Sequence, residues 1–499
     1  MTGEPSVLGG AIDGAVFDAL AGDVAAAMAT FRVPGAAVAV VRGDEIVFAH
    51  GFGVRDLAAN APVTPRTRFR IGSITKSLTA GMLASFIDEG VFGWDDRVVD
   101  LWPAFRAPTD ALTERLRLRD LLGMGTGLAE SADLTVSAVE FFMSGGEVTP
   151  RDVLRGVAEL PVVAEPGAAF NYNNTLVAAA AFVGLLAAGA PEDGLSDAYA
   201  AAVRDRVLLP AGMEDAAIAE DPRPLGNDYA VGYSRDIFGS MTPLPFVALD
   251  GVGPAGAGLA SAEDLARYAI AQMNGGVGVS GRRIASAAAL GETHQPGMAV
   301  ERGGMFPAEL MPDTASLHYG MGWLIESFDD GRRLVWHSGG IDGFAAIVGY
   351  LPDDRVGFAI LNNRDRAGGP FNMSVQASLF HRMFGLKGSV PGFLDGLLPD
   401  ADAKTADLAA RVRQPDAATV APLLGLYERG FRLRQDGDGA LLLDHDVRTL
   451  PLLALPDGGY AIANGPDVVL ESPVSFDAGP GGPVMTIQGF PPVRWLTGW

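Results

Sequence analysis

Arg70-Ile71-Gly72-Ser73-Ile74-Thr75-Lys76-Ser77 is the stretch on which the reading of this 499-residue chain turns. Lys76 is one of only three lysines, the others being Lys387 and Lys404, while arginine carries nearly all the remaining cationic charge. An ammonium can lose its proton inside a protein, whereas a guanidinium effectively cannot. A composition that avoids lysine yet keeps one three residues after a serine points to proton chemistry at Ser73. If the segment opens a helix, Ser73 and Lys76 lie one turn apart on one face, within reach of each other. Alone, the pair has a plain alternative, a surface lysine that happens to follow a serine. It needs partners elsewhere in the chain.

Upstream, Val33-Pro34-Gly35 leads into an apolar run, the polar turn Arg42-Gly43-Asp44-Glu45 and a second apolar run ending at His50, the pattern of a β-hairpin. Downstream, Leu78, Met82, Leu83, Phe86 and Ile87 have helical spacing and Gly90 follows as a C-cap, so a helix begins near Ser73. From Asp95 to about Val300, helical segments broken by Gly and Pro dominate. Among them are Thr149 to Leu160 and Ser261 to Met273, the latter with Ser261, Glu263 and Asp264 as a helix start. The apolar run Leu176 to Ala190 reads as a buried helix, short of the ~20 residues that span a bilayer. Strand character returns over Gly320 to Leu324, Arg333 to Trp336, Ala345 to Leu351 and Val356 to Leu361, and Phe371 to Phe384 is a helix. Strands thus flank a helical middle. That predicts, for residues 1–388, a sheet assembled from both ends with a cleft between sheet and helical lobe.

Residues 389–422 are rich in Pro, Asp and Ala and read as a linker with one amphipathic helix, Asp402 to Val412. Residues 423–499 alternate short apolar runs (Ala440 to Leu443, Leu450 to Leu455, Val468 to Leu470, Val484 to Ile487) with Gly, Asp and Pro turns, the pattern of a small antiparallel β-domain. The expected fold class is α/β (α+β): an antiparallel sheet flanked by helices with an inserted helical region, plus a small C-terminal antiparallel β-barrel-like domain.

Composition narrows the function classes. Hydrophobic residues at 48% and charged ones at 19% describe a folded chain rather than a disordered one. A formal net charge of −23 repels phosphate backbones, which excludes nucleic acid as an expected partner. With no cysteine there is no disulfide framework, thiolate nucleophile or Cys-ligated metal. His294, His318 and His337 form no His-x-x-x-His pattern, so no metal is expected. The Gly-rich text near 250–258 is followed by no Gly-Lys-Ser/Thr, and Ser73 lies in no Gly-x-Ser-x-Gly elbow. Met1-Thr2-Gly3-Glu4-Pro5 has no basic n-region, so a cytoplasmic protein without a membrane partner is expected.

Two segments supply the missing partners. Glu165-Pro166-Gly167-Ala168-Ala169-Phe170-Asn171-Tyr172-Asn173-Asn174 presents a Tyr and an Asn after a Pro-Gly turn. Trp336-His337-Ser338-Gly339-Gly340-Ile341-Asp342-Gly343-Phe344 sets a His beside a glycine run at a strand edge, where backbone can approach a ligand closely. Singly, Tyr172 reads as a core tyrosine and His337 as a satisfied structural histidine. In chain order, Ser73-Ile74-Thr75-Lys76, Tyr172-Asn173-Asn174 and His337-Ser338-Gly339 resemble the three active-site motifs of the penicillin-binding-protein and class C β-lactamase-like serine hydrolases. Val33-Pro34-Gly35, Phe69-Arg70-Ile71-Gly72, Ala255-Gly256-Ala257-Gly258-Leu259, Tyr319-Gly320-Met321-Gly322-Trp323 and Leu361-Asn362-Asn363 agree with it, and the match covers residues 25 to 385 or so. The tail resembles the lipocalin-like β-domain that some members append.

The resemblance implies a β-lactamase/transpeptidase-like fold, no cofactor, and Ser73 as the nucleophile that attacks an amide or ester carbonyl to give an acyl-enzyme. Lys76, sharing its proton with Tyr172, would take the serine proton and pass it to the leaving group. The N–H groups of Ser73 and Gly340 would form the oxyanion hole. Asn174 would orient Lys76 and the substrate amide, and Met124, Ser338 and Gly339 would contact the substrate. Bacterial β-lactamases and DD-peptidases carry Lys in the third motif to bind a substrate carboxylate; here His337 stands there and offers mostly a hydrogen bond. Weak β-lactamase activity and a substrate without an obligatory carboxylate are therefore expected, as in the esterase, D-aminopeptidase and D-amino-acid amidase branches. Leu121-Leu122-Gly123-Met124-Gly125-Thr126-Gly127-Leu128 also departs from the family's Leu-Leu-Ser-His-Thr-Ser-Gly-Leu, Met124 removing polar groups beside the cleft. The expected partner is a small-molecule or short-peptide substrate, and the sequence carries no sign of the oligomeric state. The same acyl-enzyme resolved by an amine or alcohol would make an acyltransferase or peptide cyclase. A scaffold with silent chemistry would make a sensor.

Overall fold

The two apolar runs around Gly43 pair as antiparallel strands Gly35–Arg42 and Glu45–Asp56, the chain reversing at Gly43 with φ 62. The computed structural model describes residues 14–129, 148–302, 311–386, 406–445, 448–456, 458–463, 474–479, 481–487 and 492–497. The free edge of Gly35–Arg42 takes Val356–Asn362, in register from Ala36↔Asn362 to Arg42↔Val356. The sheet is thus joined from both ends, as the pattern predicts. Its nine strands run in the order Ala61–Pro62, Glu45–Asp56, Gly35–Arg42, Val356–Asn362, Phe344–Leu351, Arg333–Ile341, Leu324–Phe328, Thr314–Tyr319, Met298–Ala299. Its central strands are continuous apolar runs because helices cover both faces. Successive residues point to opposite faces of a strand: a Cβ on Gly357 would meet Ala269 of helix Ala262–Met273, while the Phe358 ring packs edge-on against Phe380 of helix Gly368–Phe384.

Helix Gly14–Phe31 is long and apolar enough, by length and composition alone, to cross a membrane. Here Leu20, Val24 and Phe31 are buried, Phe31 packs edge-on against Phe371, and Asp23 receives the Arg382 guanidinium at 2.6 Å.

On the helical side, Thr75–Asp88 is buried from Thr75 to Phe86, and Asn174–Ala187 is buried from Leu176 to Leu185. Asn173 caps the second of these, its side chain accepting from Leu176 N at 2.8 Å. Ser261 and Asp264 cap Ala262–Met273 reciprocally, the capping box its sequence announces.

Two elements depart from expectation. Gly320 to Trp323 is a turn rather than strand, closed by Gly320 N donating to Trp323 O at 2.8 Å. Gly322, at φ 78, approaches the nucleophile helix so closely that a Cβ would stand 2.6 Å from the Lys76 carbonyl oxygen. The helical middle also holds a three-stranded sheet, Phe69–Arg70, Gly258–Ala260 and Ala217–Ile218, and a hairpin of Tyr233–Arg235 with Met241–Pro243. Strands of two or three residues are too short to show a period of two.

The tail closes into an eight-stranded barrel, Gly425–Tyr427 pairing both with Arg432–Gln435 and with Val493–Thr497, which fits a lipocalin-like domain. Leu441, Leu443 and His445 face the buried interior and alternate with half-buried Leu442 and Asp444. Val468 to Leu470 and residues 389–405 lie outside the described residues; 406–411 are helical and Ala417–Val420 forms a further short helix. Ile237, at the tip of the Tyr233–Pro243 hairpin, is buried among the barrel's apolar side chains, and its N–H donates to Ala463 O at 3.2 Å.

Candidate active site

Ser73 lies in a short 3₁₀ turn, Gly72–Ile74, and the α-helix begins at Thr75. The Thr75 hydroxyl fixes this turn, donating to Gly72 O at 2.6 Å and accepting from Gly258 N at 2.9 Å. Two glycines let strand Arg333–Ile341 lie against it. Gly72 has φ 50, and a Cβ there would come within 2.8 Å of Gly340 O. A Cβ on Gly339 would stand 1.8 Å from Ile71 O, whereas one on Gly340 meets nothing within 4 Å. Ser73 itself is half-buried.

Lys76 is fully buried. Its Nζ donates to Ser73 Oγ at 2.9 Å, Asn174 Oδ1 at 2.7 Å and Ala255 O at 2.9 Å. An ammonium has three protons, and each finds an acceptor. The cation also lies 4.7 Å from the centroid of the Tyr172 ring, on its electron-rich face. Ala255 belongs to the short helix Gly253–Gly256, which is tied to the nucleophile helix by Thr79 Oγ1 donating to Pro254 O at 2.7 Å. Sequence reasoning missed this third acceptor because a backbone carbonyl leaves no side-chain signature. Only the Ala255-Gly256-Ala257-Gly258 string marks the place.

The loop carrying Tyr172 and Asn174 is fastened to the 124–128 segment. Asn171 N donates to Met124 O at 2.8 Å, Asn173 N lies 3.1 Å from Met124 Sδ, and Asn173 Nδ2 donates to Leu128 O at 3.3 Å. The expectation that Met124 contacts substrate is therefore corrected. Its backbone is left-handed at φ 58, its side chain is 1% exposed, and its sulfur packs under the Asn173 peptide. The nearby cavity of about 370 Å³ is lined by Gly123, Gly125, Thr126, Pro166 and Gly167, not by Met124.

His337 joins the cluster but not as a free hydrogen-bonding group. It is buried, with Nδ1 2.5 Å from Ser338 O and Nε2 3.0 Å from the Tyr319 hydroxyl. Burial, reinforced by the Lys76 cation, pushes its pKa down to about 3, so the ring is neutral at neutral pH. Both nitrogens are used inside the protein, so the hydrogen bond expected for substrate is not on offer. The ring instead packs near Tyr172 and Tyr319, with centroids 6.5 and 5.7 Å away. Phe170 and Tyr172 also pack on Tyr319, at 5.7 and 6.2 Å.

Ser338 and Gly340 are exposed and alternate with buried Gly339. Pairing of this strand with Leu324–Phe328 stops at Leu324↔Trp336, while pairing with Phe344–Leu351 runs on to Ile341↔Phe344. Among the described residues, 337–341 therefore present one unpaired backbone edge beside Ser73. Ser73, Lys76, Tyr172, Asn174, His337 and the Ser338–Gly340 edge meet in one place, although they come from three separate stretches of chain. No group of His, Asp and Glu suited to a metal ion occurs among the described residues.

A family model described as Beta-lactamase matches residues 20–376. The chain belongs to the beta-lactamase family. Within that family it is 26% identical over 486 residues to a D-aminopeptidase of Cereibacter sphaeroides, covering 92% of this chain and 84% of that one. It is also 26% identical over 347 residues to the unguisins hydrolase ungD' of Aspergillus campestris, covering 66% of this chain and 58% of the relative. The chain thus spans less than two thirds of that fungal protein. Among solved structures, the octameric penicillin-binding protein homologue from Pyrococcus abyssi has a TM-score of 0.62 at 22% identity, covering 96% of this chain and 100% of that one, a likeness of fold.

Proposed function

We propose that this member of the beta-lactamase family is a serine hydrolase that forms an acyl-enzyme at Ser73 on amide or ester substrates. The observation that carries the reading is the cradle of acceptors holding Lys76 Nζ 2.9 Å from the Oγ of half-buried Ser73. In the reactive form the Lys76–Tyr172 pair holds one proton fewer than an ammonium beside a phenol, so as Ser73 Oγ attacks the substrate carbonyl carbon the pair takes the hydroxyl proton and then returns it to the departing amine or alcohol. The N–H groups of Ser73 and Gly340 receive the developing oxyanion, and Asn174 keeps Lys76 aimed at Ser73. Water then releases the acid and restores the hydroxyl.

The favoured substrates are small peptides and D-amino-acid amides or esters. A neutral His337 sets no fixed positive charge at the third motif, so no substrate carboxylate is demanded, and a relative matched over most of its length is named a D-aminopeptidase. A panel of p-nitrophenyl esters, D- and L-aminoacyl anilides and a chromogenic cephalosporin tests the substrate class, with turnover of the cephalosporin expected to be weakest. Intact-mass spectrometry after a fluorophosphonate probe tests the nucleophile. One adduct on wild type and none on Ser73→Ala supports the reading. An adduct that persists in Ser73→Ala moves the nucleophile elsewhere, and no adduct on wild type favours a silent sensor. Amide products formed with added amines would make the protein an acyltransferase.

A further inference from the structure

Strand Leu324–Phe328 separates Thr314–Tyr319 from Arg333–Ile341 but stops pairing at Trp336, and across the gap beyond it Tyr319 reaches His337. Tyr319 is fully buried, and burial holds its phenol well above its ordinary pKa, so it remains a proton donor. On the far side of the imidazole, Ser338 O can only accept, so Nδ1 carries the ring proton. Nε2 is then the bare nitrogen, and the Tyr319 hydroxyl donates to it. The ionisable groups facing this ring are Tyr319 from its strand, Lys76 from the nucleophile helix and Tyr172 from the loop before Asn174.

We propose that Tyr319 is a positioning residue: its hydroxyl, donating to Nε2, holds the Nδ1–H ring of His337 in place, and the ring in turn pins the Ser338 carbonyl on the unpaired edge that carries Gly340. The inference rests on the reading of Ser73 as the nucleophile and extends it to the residue that keeps the facing strand in place. Without the hydroxyl the buried Nε2 loses the donor that holds it, and the ring is free to turn away from Ser338 O. The edge that receives the reacting carbonyl oxygen then loses one of its internal fastenings.

The chain has six histidines, so ¹⁵N-histidine labelling of the full-length protein gives a spectrum in which His337 is assigned by its loss in His337→Gln. Wild type is expected to show a protonated Nδ1 and a bare Nε2 at neutral pH. Tyr319→Phe should move the Nε2 resonance towards that of an imidazole nitrogen without a hydrogen bond and lower kcat on a p-nitrophenyl ester roughly tenfold, with KM within about twofold. An Nε2–H or doubly protonated His337 in wild type at neutral pH would overturn the proposal, and that result does not depend on how the variant folds. So would Tyr319→Phe with an unchanged spectrum or an unchanged kcat. The underlying reading fails differently: Ser73→Ala that still turned over the ester would sink it whatever the tautomer of His337.

Discussion

Lys76 Nζ reaches Ser73 Oγ, Asn174 Oδ1 and Ala255 O, and these contacts tie the chemistry of the site to its fold. The side-chain members were legible in the sequence, because a lone lysine after a serine and a Tyr-Asn-Asn loop have distinctive functional groups. Ala255 and Tyr319 were not assigned roles. One acts through its backbone carbonyl, and the other through a buried hydroxyl whose partner His337 lies 18 residues further on, so the Tyr319-Gly320-Met321-Gly322-Trp323 string marked the place but not the role. Met124 was misplaced because a left-handed backbone is not visible in residue type. His337 has a consequence for stability. Its folded pKa, about 3, lies below the ordinary histidine value of 6.5, as does that of buried His294, also pushed to about 3. Between these values the unfolded chain binds the extra proton, so the stability is fully present above pH 6.5 and is lost as pH falls towards 3. Glu326 acts in the opposite sense: burial raises its carboxyl to about 7, and its contribution is lost as pH rises through that value. Melting temperatures at pH 7 and 4.5 should fall less on acidification in His337→Gln than in wild type.

At the scale of elements, the hairpin, the nucleophile helix and the returning strands were readable because each has a clear period or a glycine turn. The Gly320 to Trp323 segment was misread as strand because glycine there serves close approach to the Lys76 carbonyl. Gly339 does the same work between the site strand and the serine turn. Gly339→Ala places a Cβ where 1.8 Å separates it from Ile71 O, so the strand must shift away from Ser73. Ester hydrolysis should drop about 100-fold, the order expected for a displacement near 1 Å at reacting groups. Gly369→Ala, where a Cβ meets nothing within 4 Å, is the control and should leave the rate unchanged.

Across the whole molecule, a sheet built from both ends of one region and a barrel after it followed from the distribution of strand-like runs. The attachment between them did not, because the hairpin that makes it has strands of only three residues. Its root sits against the turn that follows the site strand, where a Cβ on Gly343 would meet Gly232 Cα at 2.5 Å, and its tip inserts Ile237 into the barrel. Ile237→Asp would bury an unpaired charge at a cost of about 3–5 kcal/mol. The expected result is a separate, earlier barrel transition in thermal unfolding; a single transition at the wild-type temperature would show that the barrel is held by other contacts. The claim on which everything else depends is that Lys76, paired with Tyr172, makes Ser73 reactive. Its most direct test is the rate at which a fluorophosphonate acquires a covalent bond to Ser73 in wild type and in Lys76→Met, followed by intact-mass spectrometry. Labelling of Ser73 slowed by at least about 100-fold in the variant is predicted, and labelling at the wild-type rate would contradict it.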